Sequence, residues 1–567
     1  MSTTDVPETA HTDNTTTSEA PAAERSTAEK IASAKAELKR RDDEARANDH
    51  RPPRWWGAVV GIVAAGTGLA VGELVAGFSR DLRTPVVSVG DRVIDYVPKW
   101  MKDFAIRNFG TSDKTVLVWT IVVLILIAAV GAGIAAVRHA RGAVIALTFA
   151  GAFGLFGAIC GGFGRNTTFA GVLPSLFAAV VAGLVLVWGR WMTRPKLVAV
   201  PAARRTKAQP MVAAPDRRRF LATSGSLALG ALVVTSIGRT LQDRFNAQLE
   251  RAGVRPPVAP EPLAALPADP AALLENSGLS PLVTPIKDFY RIDTALVFPS
   301  VSLDSWKLYI SGKVDKRISF SYDDLMKRDM IERDITISCV SNEVGGDLIG
   351  NARWIGCRLD DLLAEAGIQS DADQVMGISV DGFTAGFPVS TLDGRDAMIA
   401  LGMNGETLPV KNGFPARIIV PGIYGYVSAV KWLEEITLTR FDQEEGYWIP
   451  RGWSALAPVK TQSRIDRPGR KIAAGPTHIA GVAWAVHRGI DRVEVQVDDG
   501  EWMQASLGPV LSEDTWVQWF VQWDAPAGNH VVRVRATDGT GETQPEERTA
   551  VAPDGATGWH TIKVNVS

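Results

Sequence analysis

Cysteine is scarce in this chain. Its 567 residues include three, Cys160, Cys339 and Cys357. Three thiols build no disulfide framework, and no Cys-x-x-Cys-His run is present to attach a haem. Histidine is absent from the interior of every long apolar run, His139 lying at a boundary, so paired axial ligands for a membrane b-type haem are missing. Charge of one sign is lacking too: a net charge of −2 leaves no basic footprint for nucleic acid. Residues 1–50 hold no Trp, Phe or Tyr and cannot bury enough apolar surface to fold alone. A disordered cytoplasmic segment is therefore expected over 1–53.

From Trp55 the composition changes. Apolar runs cover 55–78, 116–137, 143–163, 169–191 and 220–237, each about 18–24 residues and long enough to cross a bilayer. The fifth is short and rich in Ser, Gly and Ala, and reads equally as a signal-type segment. Trp55, Trp56, Trp188 and Trp191 stand where interfacial anchors belong. Cationic residues flank alternate ends: Arg51 and Arg54, then Arg138 and Arg141, then Arg190 through Arg205 to Arg217-Arg218-Arg219. The positive-inside rule puts those ends in the cytoplasm and everything after about residue 240 outside the cell membrane. Arg218-Arg219-Phe220-Leu221 also resembles a twin-arginine export signal, an ordinary cationic flank being the equal alternative. Glu73, inside the first run, is either an intramembrane functional carboxylate or a group near the outer interface.

The remainder is of another kind. Residues 241–279 are rich in Pro and Ala and read as a semi-rigid linker. Strand-like 306–314 with short helices at 322–327 and 359–366 predicts an α+β unit over 280–455. Alternating runs at 477–487, 492–497, 517–523, 530–536 and 559–566 predict an all-β sandwich over 456–567. Within the α+β unit, Ile335-Thr336-Ile337-Ser338 is a β-type run ending on Cys339, followed by Asn342, Glu343 and two glycines. A thiol at a strand end is either a presented ligand or a buried small hydrophobe.

Several segments, taken in order, resemble sulfite-oxidase-type molybdopterin oxidoreductases. They are the run from Asp288 to Asp293, Trp306 to Val314, Cys339, and Trp354 to Leu363. The most specific stretch runs through Met403-Asn404-Gly405-Glu406, Gly413-Phe414-Pro415-Ala416-Arg417, Val420-Pro421-Gly422 and Val430-Lys431-Trp432-Leu433. The tail, from Gly481 to Trp484 and Val493 to Gly500, is similar to the family's C-terminal dimerisation domain, an immunoglobulin-like sandwich. The resemblance covers about 280–567 and leaves the apolar half out.

The resemblance implies one molybdopterin with molybdenum bound through Cys339, a soft thiolate suited to a metal already held by sulfur. It implies pterin contacts from Arg291, Asn342, Arg417, Gly422, Tyr424 and Lys431, with Asp293 and Asn412 standing where many relatives carry histidine. Phe383 aligns with the family's active-site tyrosine and offers no hydroxyl. Glu343 falls where positive charge meets a dianionic substrate, which argues against sulfite. A Cys339–Cys357 disulfide is the alternative that removes the metal role. The expected function is two-electron chemistry, with oxygen-atom transfer to or from a small molecule. The leading substrate is an S- or N-oxide, as in the related methionine-sulfoxide reductases. The alternatives are a sulfite dehydrogenase and a cofactor-free membrane-tethered binding module. The implied partners are a separate electron carrier, the lipid membrane and a second copy of the chain. No haem and no nucleic acid are expected.

Overall fold

The structure is a computed structural model. It describes Glu37 and residues 52–567 except 99–100, 102–103, 106–107, 110–111, 164–168, 195, 198–211, 214–215, 244, 246 and 274–277. The expected segment 1–53 and Arg204, Arg205 and Lys207 of the basic loop thus fall almost wholly outside the described residues.

The apolar runs are helices: α1 Arg54–Ala76, α3 Asp113–Arg138, α4 Gly142–Gly162, α5 Leu173–Thr193 and α6 Arg217–Asp243. All five are long and apolar enough to cross a membrane. Among like-apolar surfaces, helix contact depends on close backbone approach, and small residues provide it. A Cβ on Gly61 would strike the Ala129 carbonyl, and one on Gly133 would strike that of Gly57, so α1 and α3 pack nearly backbone to backbone. Buried Arg190 of α5 caps the end of α3, donating to the carbonyls of Ala136, His139 and Ala140 at 2.6–2.7 Å. That charge sits where a helix C-terminus welcomes it. Glu73 lies in the last turn of α1 and accepts from Gln242 at 3.1 Å, which favours the helix-end reading over a mid-membrane carboxylate.

The stretch between the first two apolar runs, 81–114, reads as a loop of mixed charge, yet Pro85–Tyr96 is a helix, α2, with Thr84 accepting from Val87 N–H as its cap. Its apolar stripe of Pro85, Val89 and Val93 faces the other helices. Its polar side, Asp91, Arg92 and Asp95, meets the segment after Asp293.

The next unit holds two sheets. One runs β8–β7–β4–β3, from Glu406–Thr407, Met398–Met403, Ile349–Arg358 and Met330–Ser338, with β9 Arg417–Ile419 also paired to β7. The other runs β2–β1–β10–β5–β6, from Ile318–Ser321, Lys307–Gly312, Leu433–Thr439, Gln374–Ser379 and Thr384–Pro388. Here β10 and β1 are parallel, and the rest of that sheet is antiparallel. The helix Leu359–Ala366 lies where expected. The 241–279 stretch is docked rather than free: Arg251 donates to Thr407 O at 2.7 Å and Leu263 N–H to Glu332 at 2.8 Å.

The tail forms two more sheets, one of four strands and one of five, sharing a core that includes Ile479, Trp519 and Val521 on one and Val495, Val534 and Val564 on the other. The four-stranded sheet contains Gly475–Trp484 and Val517–Ala525, and the five-stranded one Ile490–Val497, Gly528–Asp538 and His560–Val566. Gln462–Arg467, which the alternation did not reveal, pairs with Gly475–Trp484.

Replacing Gly61 by Val forces α1 away from α3. The expected cost is about 1–3 kcal/mol of overpacking, read as a lowered thermal midpoint of the full chain in detergent against Gly131→Val, where a Cβ meets nothing within 4 Å.

Candidate active-site cleft

Strands β3 and β4 form a hairpin, and the turn between them presents Cys339. Residues 330–338 alternate so that Ile335 and Ile337 enter the core, and β3 ends at Ser338. Cys339 N–H then donates to Leu348 O at 2.9 Å, and Ser341 N–H points at the Cys339 sulfur at 3.4 Å. The turn is clamped from the C-terminal unit: Arg464 donates to Gly346 O at 2.7 Å and Arg548 to Val344 O at 3.0 Å. His560 packs against Gly345, leaving no room for a side chain there. The thiol is thus fixed by two folding units. Burial pushes its pKa up against the hydrogen bonds from Ser341.

The hairpin register settles the disulfide alternative. Ser338 pairs with Ile349 and Met330 with Cys357, so the two thiols sit at opposite ends of the ladder. Eight residues of strand separate them by about 26 Å, and a disulfide needs Cα atoms within about 7 Å. Both cysteines are free, and Cys357 packs in the core with its thiol towards Leu325 O.

Cys339 opens into a cleft with about 760 Å³ of atom-free space, its mouth included. Of the expected residues, Arg291, Asp293, Phe383, Asn412, Arg417 and Lys431 line it with the thiol. Arg417 starts β9 and reaches inward, donating to Asn412 O at 2.9 Å with its guanidinium carbon 5.1 Å from the Trp354 ring centre. Among the described residues no carboxylate pairs with it, and burial pushes its pKa down to about 10. Lys431 follows a turn and donates to Asp293 at 2.9 Å and to Ile292 O at 3.1 Å. Burial pushes Lys431 down to about 8, with Asp293 opposing. Burial alone would raise the Asp293 carboxyl, but Lys431 and Lys114 outweigh it and hold it below the usual range.

Other expected residues lie outside the cleft lining. Glu343 is exposed and outside the cleft lining, because the turn directs it to solvent, so its charge does not bear on the thiol's neighbourhood. Gly422 has φ +84 and faces His487 and Arg395 rather than the cleft. Tyr424 is buried with its hydroxyl against Gly555, accepting from Lys460 N–H at 3.4 Å, and is not among the lining residues. Asn342 lies under the turn, its side-chain Oδ1 accepting from Leu348 N–H at 2.9 Å. Arg353 is paired with Asp334 and Arg395 with Asp393, and neither lines the cleft.

Sequence reasoning missed three groups. Tyr290, inside the quoted Asp288–Asp293 motif, lines the cleft beside Cys339 and Arg417, and burial pushes its phenol up. Tyr426 and Trp448 also line it, in an aromatic chain in which Phe383 stands 5.7 Å from Tyr447 and Tyr447 5.0 Å from Trp448. Lys114 arrives from α3, and no local signal in its sequence announces it.

The donor set fits a polar, anionic ligand. Among the described residues, Asn412 Oδ1 and Arg417 Nε in the cleft lining are buried with no hydrogen-bond partner, as is Asn342 Nδ2 beneath the adjoining turn. Such orphans cost free energy in a core and suit a cofactor with acceptors and donors of its own. A pterin with a phosphate needs guanidinium and ammonium groups beside amides, and the cleft offers them. Replacing Arg417 by Met is therefore expected to stabilise the cofactor-free chain, made in a host unable to synthesise the pterin. The expected gain is about 1–3 kcal/mol of relieved desolvation, measured by denaturant unfolding.

Comparison with known proteins agrees. The family model described as an oxidoreductase molybdopterin binding domain matches residues 295–448. Human mitochondrial sulfite oxidase is 28% identical over 358 residues, 53% of this chain and 63% of that one. This chain thus spans less than two thirds of that relative's length. The uncharacterised oxidoreductase YuiH of Bacillus subtilis is 30% identical over 151 residues, 27% of this chain and 73% of its own. The sulfane dehydrogenase SoxCD of Paracoccus pantotrophus superposes with a TM-score of 0.44 at 22% identity, covering 56% of this chain and 92% of that one. On the family model and the extent of the YuiH match, the chain belongs to the sulfite-oxidase-type molybdopterin oxidoreductases.

Proposed function

We propose that this chain is a membrane-anchored molybdopterin oxidoreductase that reduces a small S- or N-oxide at molybdenum held by Cys339. The observation that carries the reading is a single fixed thiol lining one cleft with Arg417, which has no carboxylate partner among the described residues, with Asp293-held Lys431, and with the orphaned side-chain amide of Asn412. Arg417, Asn412 and Lys431 would hold the pterin and its phosphate, Arg291 flanking them. The metal supplies two-electron redox and oxygen-atom exchange. The chain's part is to hold substrate and keep water out. Tyr290 offers beside Cys339 the hydroxyl that Phe383 lacks. Reduction of R₂S=O takes two electrons and two protons and releases R₂S and water, so a separate carrier must supply the electrons.

The aromatic chain Phe383–Tyr447–Trp448 favours a neutral, polarisable substrate over a sulfite dianion, since ring faces attract apolar and cationic groups and offer anions little. Sulfite oxidation is the second reading, favoured by the cationic groups if the pterin leaves one of them free.

The division that fits these roles is 54–240 membrane, 241–279 linker, 280–455 catalytic, and 456–567 an immunoglobulin-like sandwich able to pair two copies. Supporting the topology, Arg54, Arg138, Arg141, Arg194 and Arg217 lie at one set of helix ends and Lys114, beside the catalytic unit, at the other. The positive-inside rule then puts the catalytic unit outside the cytoplasm.

Molybdenum should accompany purified wild type and be lost from Cys339→Ser. Equal loading of both would overturn the ligand assignment. Dye-donor assays should give faster reduction of methyl sulfoxides than oxidation of sulfite, the reverse order supporting the second reading. Anion binding by Lys431 needs its ammonium form, present below about pH 8. Pterin retention is therefore expected to fall as pH rises through about 8, and Lys431→Met should lower retention and abolish that limb. A pH-independent wild type would sink this role.

A further inference from the structure

We infer that Lys114, on a membrane helix, is a positioning residue of the cofactor cleft, so that the membrane half completes the site rather than merely tethering it. Lys114 occupies the first turn of α3. Its ammonium group touches the Asp293 carboxylate and donates to Ala295 O at 2.5 Å and Asp293 O at 3.2 Å. That carboxylate is almost wholly buried and uses its other oxygen to hold Lys431 at 2.9 Å, with Arg291 at 3.5 Å. One buried acid is thus shared between a cation from the membrane unit and two from the cleft wall.

The contact is one of a set. Tyr447, next to Trp448 of the cleft wall, meets Asp95 of α2 at 3.3 Å. Leu296 sits over Gly90, where a Cβ would collide with it. Glu250 accepts from Arg80, just beyond α1, at 2.6 Å and from Leu303 N–H at 2.7 Å. These contacts bracket the segment 293–303 from both sides, and Lys114 is the one whose partner also lines the cleft. The effect follows from charge. With Lys114 present, Asp293 is neutralised from behind and Lys431 keeps hydrogen-bonding capacity for an anion. Without it, Asp293 draws wholly on Lys431 and Arg291, pulling both away from the cleft. The groups facing Lys431 are Asp293, Arg417 and Lys114, and the two cations oppose its protonation. Removing Lys114 therefore lets Lys431 keep its proton to higher pH.

The inference rests on the pterin reading above, and the test separates the two. Pterin per chain is measured by fluorescence after release from full-length protein in detergent, over a range of pH, for wild type, Lys114→Met, Lys114→Arg and Asp293→Asn with and without Lys114→Met. Lys114→Met is expected to lower retention about tenfold, as loss of an outer partner does, and to move the alkaline limb upward. Lys114→Arg should restore both. In the Asp293→Asn background Lys114→Met should change little, since its route is cut. Wild-type retention and an unmoved limb in Lys114→Met, or an equal loss in both backgrounds, would overturn the inference. No pterin in wild type would instead overturn the reading of the cleft.

Discussion

The cleft depends on one buried carboxylate surrounded by cations. An isolated Asp293 charge in that position would cost several kcal/mol of desolvation. Lys431, Arg291 and Lys114 offset it, and each comes from a different stretch of chain. The same contacts fix Lys431 at the wall and join the first turn of α3 to the segment that follows Asp293. Its partner cation Arg417 is unpaired by comparison, stacked against Trp354 and held by one backbone carbonyl. The contrast between a neutralised pair and a bare guanidinium gives the cleft a positive floor without making it unstable throughout.

The thiol depends on a second constraint. A strand end positions Cys339, but the turn after it contains Gly345 and Gly346 and would be loose by itself. Arg464, Arg548 and His560 from the C-terminal unit hold its carbonyls and fill the space beside it. The C-terminal unit therefore acts on the site mechanically, whatever its role between copies. A ligand-bearing loop held by rigid neighbours loses less entropy when it binds.

How far the molecule was legible depended on whether the signal was local. Apolar run length marked the five long helices, because an apolar stretch of about 20 residues leaves helix as the structure that satisfies its own backbone. Period-two alternation marked most strands of the C-terminal sheets, while Gln462–Arg467, charged and partly exposed, carried too weak a pattern. Leu359–Ala366 was plain from its spacing, whereas α2 was hidden in a loop because it buries only one narrow stripe. At the site, ordered motifs marked Cys339, Arg417 and Lys431. Motif position did not reveal that Tyr424, Gly422 and Glu343 lie outside the cleft lining, since a residue's place in a motif does not say which way its side chain turns.

Sequence alone determined the apolar spans, the strand that ends on Cys339, and the presence of cations and amides suited to an anionic pterin. Those follow from periodicity, charge and residue chemistry, which act along the chain. Tertiary structure alone decided that Cys357 lies a full hairpin away from Cys339, that Glu343 faces solvent, and that Lys114 reaches Asp293 across 179 positions. Such facts depend on register and on the packing of one unit against another, and neither is encoded in any short stretch of residues.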